Sequence, residues 1–142
     1  METYAQMKSR HQAEMNALPF GFAFGDESFD RMMGKWGLTS SPEDCEKIVS
    51  FGAGIFLQKK DIPAYREVSD RHARERKETL RGDVLKKALI SEMHNHECQY
   101  GDFADALRAL GLDEKTLTPE ERKIYKTAQK EFWDYCVKND CF

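Results

Sequence analysis

Apolar side chains recur every three or four residues along several stretches of this chain, the spacing that gathers them on one face of an α-helix. In the first stretch, Tyr4, Met7 and Met15 share such a face. Glycine or proline follows each stretch except the last and indicates where a helix ends. The pattern predicts long helices over residues 4–18, 62–81, 83–100 and 119–138, and short ones over residues 27–36 and from Asp102 to Leu110.

A second pattern, with a period of two, lies between the first helices. Phe20, Phe22 and Phe24 alternate with small residues, as in an extended segment whose three rings point the same way. Farther along, apolar residues on either side of a Gly-Ala-Gly turn predict a hairpin of two strands, Lys47–Phe51 and Ile55–Lys59. Because an isolated hairpin is marginally stable, we expect it to pack on the helices or to pair with the phenylalanine segment.

Two positions carry the signature of a helix start, in which a hydroxyl side chain precedes a proline. Ser41 before Pro42 predicts a single helical turn. Thr118 precedes a proline and stands three residues before Glu121, which predicts a capping box at the start of the last helix. Together the patterns predict an α+β fold: a single compact domain over residues 1–142, predominantly helical, with a small β-hairpin or antiparallel sheet.

Composition excludes several functional classes. With 142 residues and 40% hydrophobic side chains, the chain can bury a core without a disulfide or a metal ion. Its net charge of −3 differs from the basic excess of nucleic-acid-binding proteins, so we expect no direct sequence-specific nucleic-acid binding. No apolar run is long enough to span a membrane, and the polar N-terminus lacks a signal-peptide core. We therefore predict a cytosolic protein whose four cysteines are free thiols.

Charge is distributed unevenly along the chain. Residues 62–87 hold eight Lys or Arg against five Asp or Glu, whereas residues 92–121 hold two against eight. Opposite charges three or four residues apart neutralise each other on a helix, which favours a solvated surface for both segments. The alternative is a docking surface, for which Arg66, Arg74 and Arg81 of the basic segment are the candidates.

The densest polar cluster, His94 to Cys98, does not form a metal site in a regular helix. His94 and His96 lie on nearly opposite sides at about 100° per residue, so they cannot bind the same ion. The pairs that do share a face, such as Glu92 with His96, supply two ligands where zinc needs three or four. We predict no metal and no cofactor.

Three histidines lie within the apolar stripes of three different helices: His11, His72 and His96. If these stripes face one core, the imidazoles could form an acid–base site, with Glu97 and other nearby glutamates to orient them. The alternative is that each histidine is a buried residue hydrogen-bonded to its neighbours. The sequence leaves catalysis uncertain and favours a protein that is not an enzyme.

The aromatic segment also has two interpretations. Phe20, Phe22 and Phe24, followed by Trp36, are either part of the core or, where they are exposed, a partner-binding surface. Aromatic residues in a small apolar patch are common anchors of protein interfaces. The glycines beside the phenylalanines would let a partner approach the backbone closely.

Several short segments, which together cover most of residues 4–112, carry a resemblance to a known family. They are Arg10–Asn16, Phe22–Phe24, Phe29–Leu38, Lys47–Ile48, Gly52–Gly54, Lys59–Asp61, Arg71–His72, Asn95–Glu97, Gly101–Asp102 and Ala106–Leu112. On these segments the chain is similar to a family of small proteins, a domain of unknown function, encoded by phages and mobile elements of gut bacteria. We expect residues 1–112 to form the family-like core and residues 118–142 to add a C-terminal helix.

The resemblance implies a bacterial host cytosol and a function in binding. The first hypothesis is stoichiometric binding to a host protein or a protein–nucleic-acid complex, as an inhibitor of a bacterial defence system such as CRISPR–Cas. The second is a small enzyme that uses His11, His72, His96 and Glu97, with or without a metal. The third is a structural homodimer that buries the aromatic patch against a second copy.

Overall fold

The computed structural model describes residues 2–142, and it confirms a mostly helical α+β fold. The described chain contains seven α-helices, three short 3₁₀ turns and one antiparallel sheet of three strands. The helices and strands are α1 Tyr4–Asn16, β1 Gly21–Phe22, α2 Asp26–Lys35, α3 Pro42–Cys45, β2 Ile48–Gly52, β3 Ile55–Gln58, α4 Ile62–Thr79, α5 Gly82–Asn95, α6 Ala104–Ala109 and α7 Pro119–Asn139.

The chain divides into two compact units. Unit 1 consists of the residues before Lys8 together with His72–Phe142, and unit 2 is Lys8–Arg71. Helices α1 and α4 each contribute residues to both units. The single compact domain over residues 1–142 stays a prediction.

Unit 1 is a helical bundle with a large apolar core. Helix α5 packs mainly against α7 and α6, and its core-facing positions are fully buried. Phe132 of α7 lies at the centre, with no exposed surface and edge-on ring contacts to its neighbours. The buried core residues are Met7, Leu80, Leu85, Ala88, Leu89, Met93, Cys98, Ala106, Leu107, Leu110, Leu117, Tyr125, Ala128, Phe132 and Cys136.

The start of α7 confirms the predicted capping box. The Thr118 hydroxyl accepts a hydrogen bond from the Glu121 amide at 3.1 Å, and the Glu121 carboxylate accepts one from the Thr118 amide at 2.8 Å. Two amides that lack partners inside the helix are thereby satisfied. The predicted turn at Ser41 is also present as α3, whose Asp44 amide donates to the Ser41 hydroxyl.

Helix α5 is shorter than predicted. The spacing of apolar residues predicts a helix to residue 100, but α5 ends at Asn95 and Glu97 adopts a left-handed conformation with φ of 51°. A 3₁₀ turn, Cys98–Tyr100, follows. This change of direction keeps Cys98 in the core but turns Tyr100 outward, where it is 74% exposed, so Tyr100 does not continue the buried stripe.

Unit 2 contains the sheet, with strand order β1-β3-β2. The predicted hairpin is confirmed, and β1 pairs with β3 in the register Gly21↔Phe56 and Phe22↔Ile55. One face of the sheet packs against α2, where Met32 and Met33 are buried together with Ala23. This second core is much smaller than that of unit 1, and half-buried residues complete it: Phe29, Trp36, Leu38, Ile48 and Phe56.

Candidate functional site

The predicted alternation along residues 20–24 is present, and it places large apolar side chains in solvent. Phe22 is 59% exposed and Phe24 is 82% exposed, while Gly21 before Phe22 and Ala23 after it are buried. Phe20 is half-buried. Gly21 and Ala23 are packed against α2, whereas the rings of Phe22 and Phe24 are exposed to solvent.

Close packing at Gly21 explains this orientation. A Cβ atom at Gly21 would lie 2.6 Å from Met32 Sδ and 2.7 Å from Trp36 Cη2, so no larger side chain fits between β1 and α2. Phe24 lies over the hairpin turn, because a Cβ atom at Gly54 would lie 2.5 Å from its ring. The glycines therefore fix on which side of the sheet the aromatic rings lie.

Phe20 is held in place by a cluster of three rings within unit 2. Its ring centroid lies 5.7 Å from that of Phe51 and 6.0 Å from that of Tyr65, both in edge-on contacts. Phe51 and Tyr65 are 5.1 Å apart and complete the cluster. Phe22 and Phe24 make no comparable ring contact within the described residues, so their faces are available to another molecule.

A groove of about 340 Å³ lies between β1 and α2, and we call it the β1 edge groove. The aromatic side chains of Phe22 and Trp36 lie along it together with the cationic side chains of Arg31 and Lys35. The remaining lining residues are Phe20, Gly21, Ser28 and Met32.

Strand β1 is an edge strand, and its outer backbone groups are open. The Ala23 amide donates to the Gly54 carbonyl at 2.9 Å, which makes these two residues a hydrogen-bonded pair of the ladder. Because hydrogen-bonded and non-hydrogen-bonded pairs alternate in an antiparallel ladder, Phe22 points its amide and carbonyl away from β3. An open edge of this kind can pair with another extended chain.

The cations of the groove are exposed, and one of them has a partner. Arg31 lies 3.1 Å from Glu27 one turn earlier in α2, with both side chains largely in solvent. An exposed pair of this kind contributes less than about 1 kcal/mol, so Arg31 can exchange its partner at little cost. Lys35 forms no ion pair within the described residues and adds a second positive charge at the Trp36 end.

The predicted basic surface on α4 is only partly available for docking. Arg66, Arg74 and Arg81 are exposed, and they fall in different units. Between them in sequence, Arg71 binds the Glu14 carboxylate at 2.6 Å within unit 2, where Arg10 contacts the same carboxylate at 2.8 Å. This local neutralisation is the solvated-surface arrangement that the charge pattern favours.

The histidine candidates lie in different environments. His11 and His72 are buried, in unit 2 and unit 1 respectively, whereas His96 is half exposed. His96 does not pair with Glu97, which is exposed; its Nε2 lies 3.3 Å from Oε2 of Glu92 one turn earlier. The catalytic assignment of these residues stays a prediction.

Glu92 is the buried carboxylate of unit 1, with 1% of its surface exposed. Tyr4 donates its hydroxyl to Oε1 of Glu92 at 3.0 Å, and His96 contacts the other oxygen. Burial, followed by the hydrogen bond and charge of Glu92, raises the pKa of Tyr4 well above its ordinary value. The carboxylate thus joins the first helix of the chain to α5 and is shielded from water.

Metal-binding geometry is not found among residues 2–142, since no three His, Cys, Asp or Glu side chains converge on one point. His94 packs edge-on between Phe132 and Tyr135, at centroid distances of 4.9 and 4.8 Å.

No helix in the described part of the chain has both the length and the apolar character needed to cross a bilayer.

Sequence reasoning found the aromatic rings of the groove and the pairing of Glu92 with His96, but it missed the cations of the groove and the contact of Glu92 with Tyr4. Arg31 and Lys35 are four residues apart just before Trp36, a spacing that places them on one face of α2. Glu92 and His96 have the same spacing. No sequence pattern indicates the contact of Glu92 with Tyr4, because 88 residues separate the two.

Comparison with known proteins identifies a family, but the function of that family is unknown. Residues 3–131 match the model of DUF7659, a family of unknown function, so the chain belongs to this family. The match includes the first part of α7. Neither a curated protein nor a solved structure matches the chain.

Proposed function

Starting from membership of a family of unknown function, we propose that the protein acts by stoichiometric binding, and that it docks an extended, acidic segment of a partner protein in the β1 edge groove. One observation carries this proposal: Phe22 of the open edge strand and Phe24 just after it are exposed, while the small residues Gly21 and Ala23 beside them are buried. A fold that needed this segment only for its core would bury the rings instead.

The aromatic rings supply the affinity. Buried aromatic anchors at the centre of an interface commonly contribute about 2 kcal/mol or more each when truncated. Phe22 is positioned by β1, Phe24 lies against the hairpin turn at Gly54, and Trp36 is fixed by its packing on the core of unit 2. Little side-chain ordering is therefore needed on binding, which lowers its entropic cost.

The backbone and the charges determine the kind of partner. A peptide that pairs with Phe22 adds a fourth strand to the sheet, and its alternate side chains enter the groove. Arg31 and Lys35 line the groove where those side chains would lie. Carboxylates on the incoming strand would pair with them, so the fitting segment is extended and carries Asp or Glu at alternate positions.

The proposal includes a biological setting that rests on the resemblance to phage and mobile-element proteins. In that setting the partner is a host protein or a protein–nucleic-acid complex in the bacterial cytosol, and the outcome of binding is inhibition of a defence system such as CRISPR–Cas. The homodimer is the competing occupant of the same groove, with β1 of a second copy in place of the partner strand.

A site-specific crosslink tests the proposal. The photoreactive residue p-benzoylphenylalanine replaces Phe22, which lines the groove, in one variant and Tyr100 in a matched control, because both side chains are large, aromatic and exposed. After irradiation in bacterial lysate, we expect one stoichiometric adduct from position 22 and none of the same mass from position 100. Mass spectrometry of the adduct identifies both the partner and the segment that lies in the groove.

Substitutions then measure what each part contributes. The double variant Phe22→Ala and Phe24→Ala is expected to weaken binding of the identified segment by at least a hundredfold, since each ring contributes about 2 kcal/mol. Lys35→Glu is expected to weaken it in a salt-dependent manner, and Tyr100→Ala to leave it unchanged. A crosslink to a second copy of the chain would establish the homodimer instead, and equal adducts from positions 22 and 100 would refute the groove.

A second candidate function, acid–base catalysis, has one observation in its favour. Glu92 is buried and holds the half-exposed imidazole of His96, an arrangement that orients a general base. His96→Gln removes the base and keeps a polar side chain, so loss of turnover of any substrate found by screening, with the fold intact, would support catalysis.

A further inference from the structure

The C-terminal end of α7 brings two cysteines together. Asp140 adopts a left-handed conformation with φ of 52°, and the chain turns back over the last helical turn. The amides of Asp140 and Cys141 both donate to the Cys136 carbonyl, the latter at 3.1 Å. In helix ends of this type, the residues at the positions of Cys136 and Cys141 commonly touch. The geometry that ends the helix therefore places one thiol beside the other.

The two thiols differ in accessibility. Cys136 is fully buried in the core of unit 1, and Cys141 is half-buried against that core. The Cys136 thiol donates a hydrogen bond to the Cys141 sulfur, and burial together with this contact raises the pKa of Cys136 to about 11. At neutral pH, Cys136 keeps its proton, so Cys141 is the member of the pair that meets a reagent first.

We propose that Cys136 and Cys141 form an oxidisable dithiol site, which a hydroperoxide converts into an intramolecular disulfide. The site is independent of the β1 edge groove, which lies in unit 2. A disulfide needs its two sulfurs at about 2.05 Å with a side-chain torsion near 90°. Cys141 lies after the end of α7 at Asn139, so Cys141 can adjust to reach this geometry without a change in the helix that holds Cys136.

The reaction balances with a hydroperoxide as the oxidant. The Cys141 thiolate attacks one peroxide oxygen, the O–O bond breaks, and Cys141 becomes a sulfenic acid while hydroxide leaves. The Cys136 sulfur then attacks the Cys141 sulfur, the S–O bond breaks, and the proton of Cys136 leaves with the hydroxide as water. Two thiols lose two electrons in total, and hydrogen peroxide is reduced to two molecules of water.

An optical reporter lies next to the site. The rings of Trp133 and Phe142 are stacked, with centroids 5.6 Å apart and planes at 11°. Trp133 is one helical turn before Cys136, and Phe142 directly follows Cys141. Formation of the disulfide displaces Phe142 together with its neighbour, so we expect the tryptophan fluorescence to change as the bond forms.

Peptide mapping of the full chain after hydrogen peroxide treatment tests the proposal. Trypsin cuts after Lys138, between the two cysteines, so the disulfide joins peptide Glu131–Lys138 to peptide Asn139–Phe142 until a reductant separates them. We expect this joined peptide in native, peroxide-treated protein, at a mass two hydrogens below the sum of the separate peptides. This measurement needs no variant, so it does not depend on how well a substituted core folds.

Variants assign the roles of the two thiols. Cys141→Ser is expected to leave Cys136 unmodified, and Cys136→Ser to stop at a Cys141 sulfenic acid that dimedone traps. Cys45→Ser is the matched control from unit 2, because Cys45 is also half-buried, and it is expected to behave as the unsubstituted protein. Recovery of the two peptides unjoined after treatment would overturn the proposal, as would peroxide consumption that depends on Cys45 or Cys98.

Discussion

The core of unit 1 and the sheet of unit 2 use aromatic side chains in opposite ways. In unit 1, Phe132 has no exposed surface, and its ring contacts those of Phe103 and Trp133 at centroid distances of 6.0 and 6.1 Å. In unit 2, the side chains of Phe22 in β1 and of Phe24 just after β1 are exposed to solvent. Unit 1 uses its aromatic rings to build a buried core, whereas unit 2 presents two of its rings as apolar surface. An exposed apolar surface is what a binding region requires.

The carboxylates and arginines show the same contrast. Unit 1 shields Glu92 inside its core and satisfies it with the Tyr4 hydroxyl and the His96 imidazole. Unit 2 places Arg31 beside an open groove, with an exposed partner in Glu27. Glu92 of unit 1 thus belongs to a packed interior, whereas Arg31 of unit 2 lies where another molecule can reach it.

The largest expected effect on the free energy of unfolding comes from removing one ring from the core of unit 1. Phe132→Ala removes a fully buried ring, and we expect the free energy of unfolding to fall by about 3–5 kcal/mol, because the cavity left behind closes only in part. Urea unfolding followed by circular dichroism measures this change. A loss below about 1 kcal/mol would show that the core tolerates a large void and would remove the contrast between the units.

A smaller effect is expected where unit 2 is packed most tightly. Gly21→Ala places a methyl group against Met32 and Trp36, and we expect a loss of about 1–3 kcal/mol from overpacking.

Gly34→Ala is the matched control, because its Cβ atom meets nothing within 4 Å inside α2, and it is expected to stabilise by up to about 1 kcal/mol. If both variants shift the urea midpoint in the same direction, close packing at Gly21 does not determine the orientation of β1.

The buried carboxylate gives a pH-dependent prediction. Tyr4→Phe removes the hydroxyl that donates to Glu92, and we expect a loss of about 1–2 kcal/mol near neutral pH. The pKa of Tyr4 is raised in the folded state, so its contribution is fully present below about pH 10, the ordinary tyrosine value, and is lost as the pH rises further.

The difference in unfolding free energy between the two proteins should therefore shrink as urea unfolding is repeated at increasing pH above 10. A difference that stays constant would mean that the hydroxyl does not hold its proton through contact with Glu92.

The smallest effect on stability is expected at the proposed binding surface. Phe22→Ala together with Phe24→Ala should change the free energy of unfolding by less than about 0.5 kcal/mol for each site, because exposed side chains away from the core contribute little. Loss of partner binding with unchanged stability would separate function from folding. A large destabilisation would place the two rings in the folded core instead.

How much of this protein follows from sequence alone depends on the range of the interactions involved. The hydroxyl cap with a following proline at Ser41 and the capping box at Thr118 act within one helical turn, and both are present as predicted. The alternation over residues 20–24 and the hairpin are also local patterns. The end of α5 could not be predicted, because Asn95 is followed by further apolar positions, and a left-handed Glu97 turns the chain there.

The sequence by itself determined which segments become helices and strands, and that the phenylalanines of residues 20–24 share one side. Only the tertiary structure decided which side that is, because Gly21 fits against Met32 and Trp36 and a ring does not. It also decided that Glu92 meets Tyr4 across 88 residues of sequence. Local hydrogen bonds and side-chain periodicity depend on neighbouring residues, whereas close packing depends on distant segments that meet only in the folded chain.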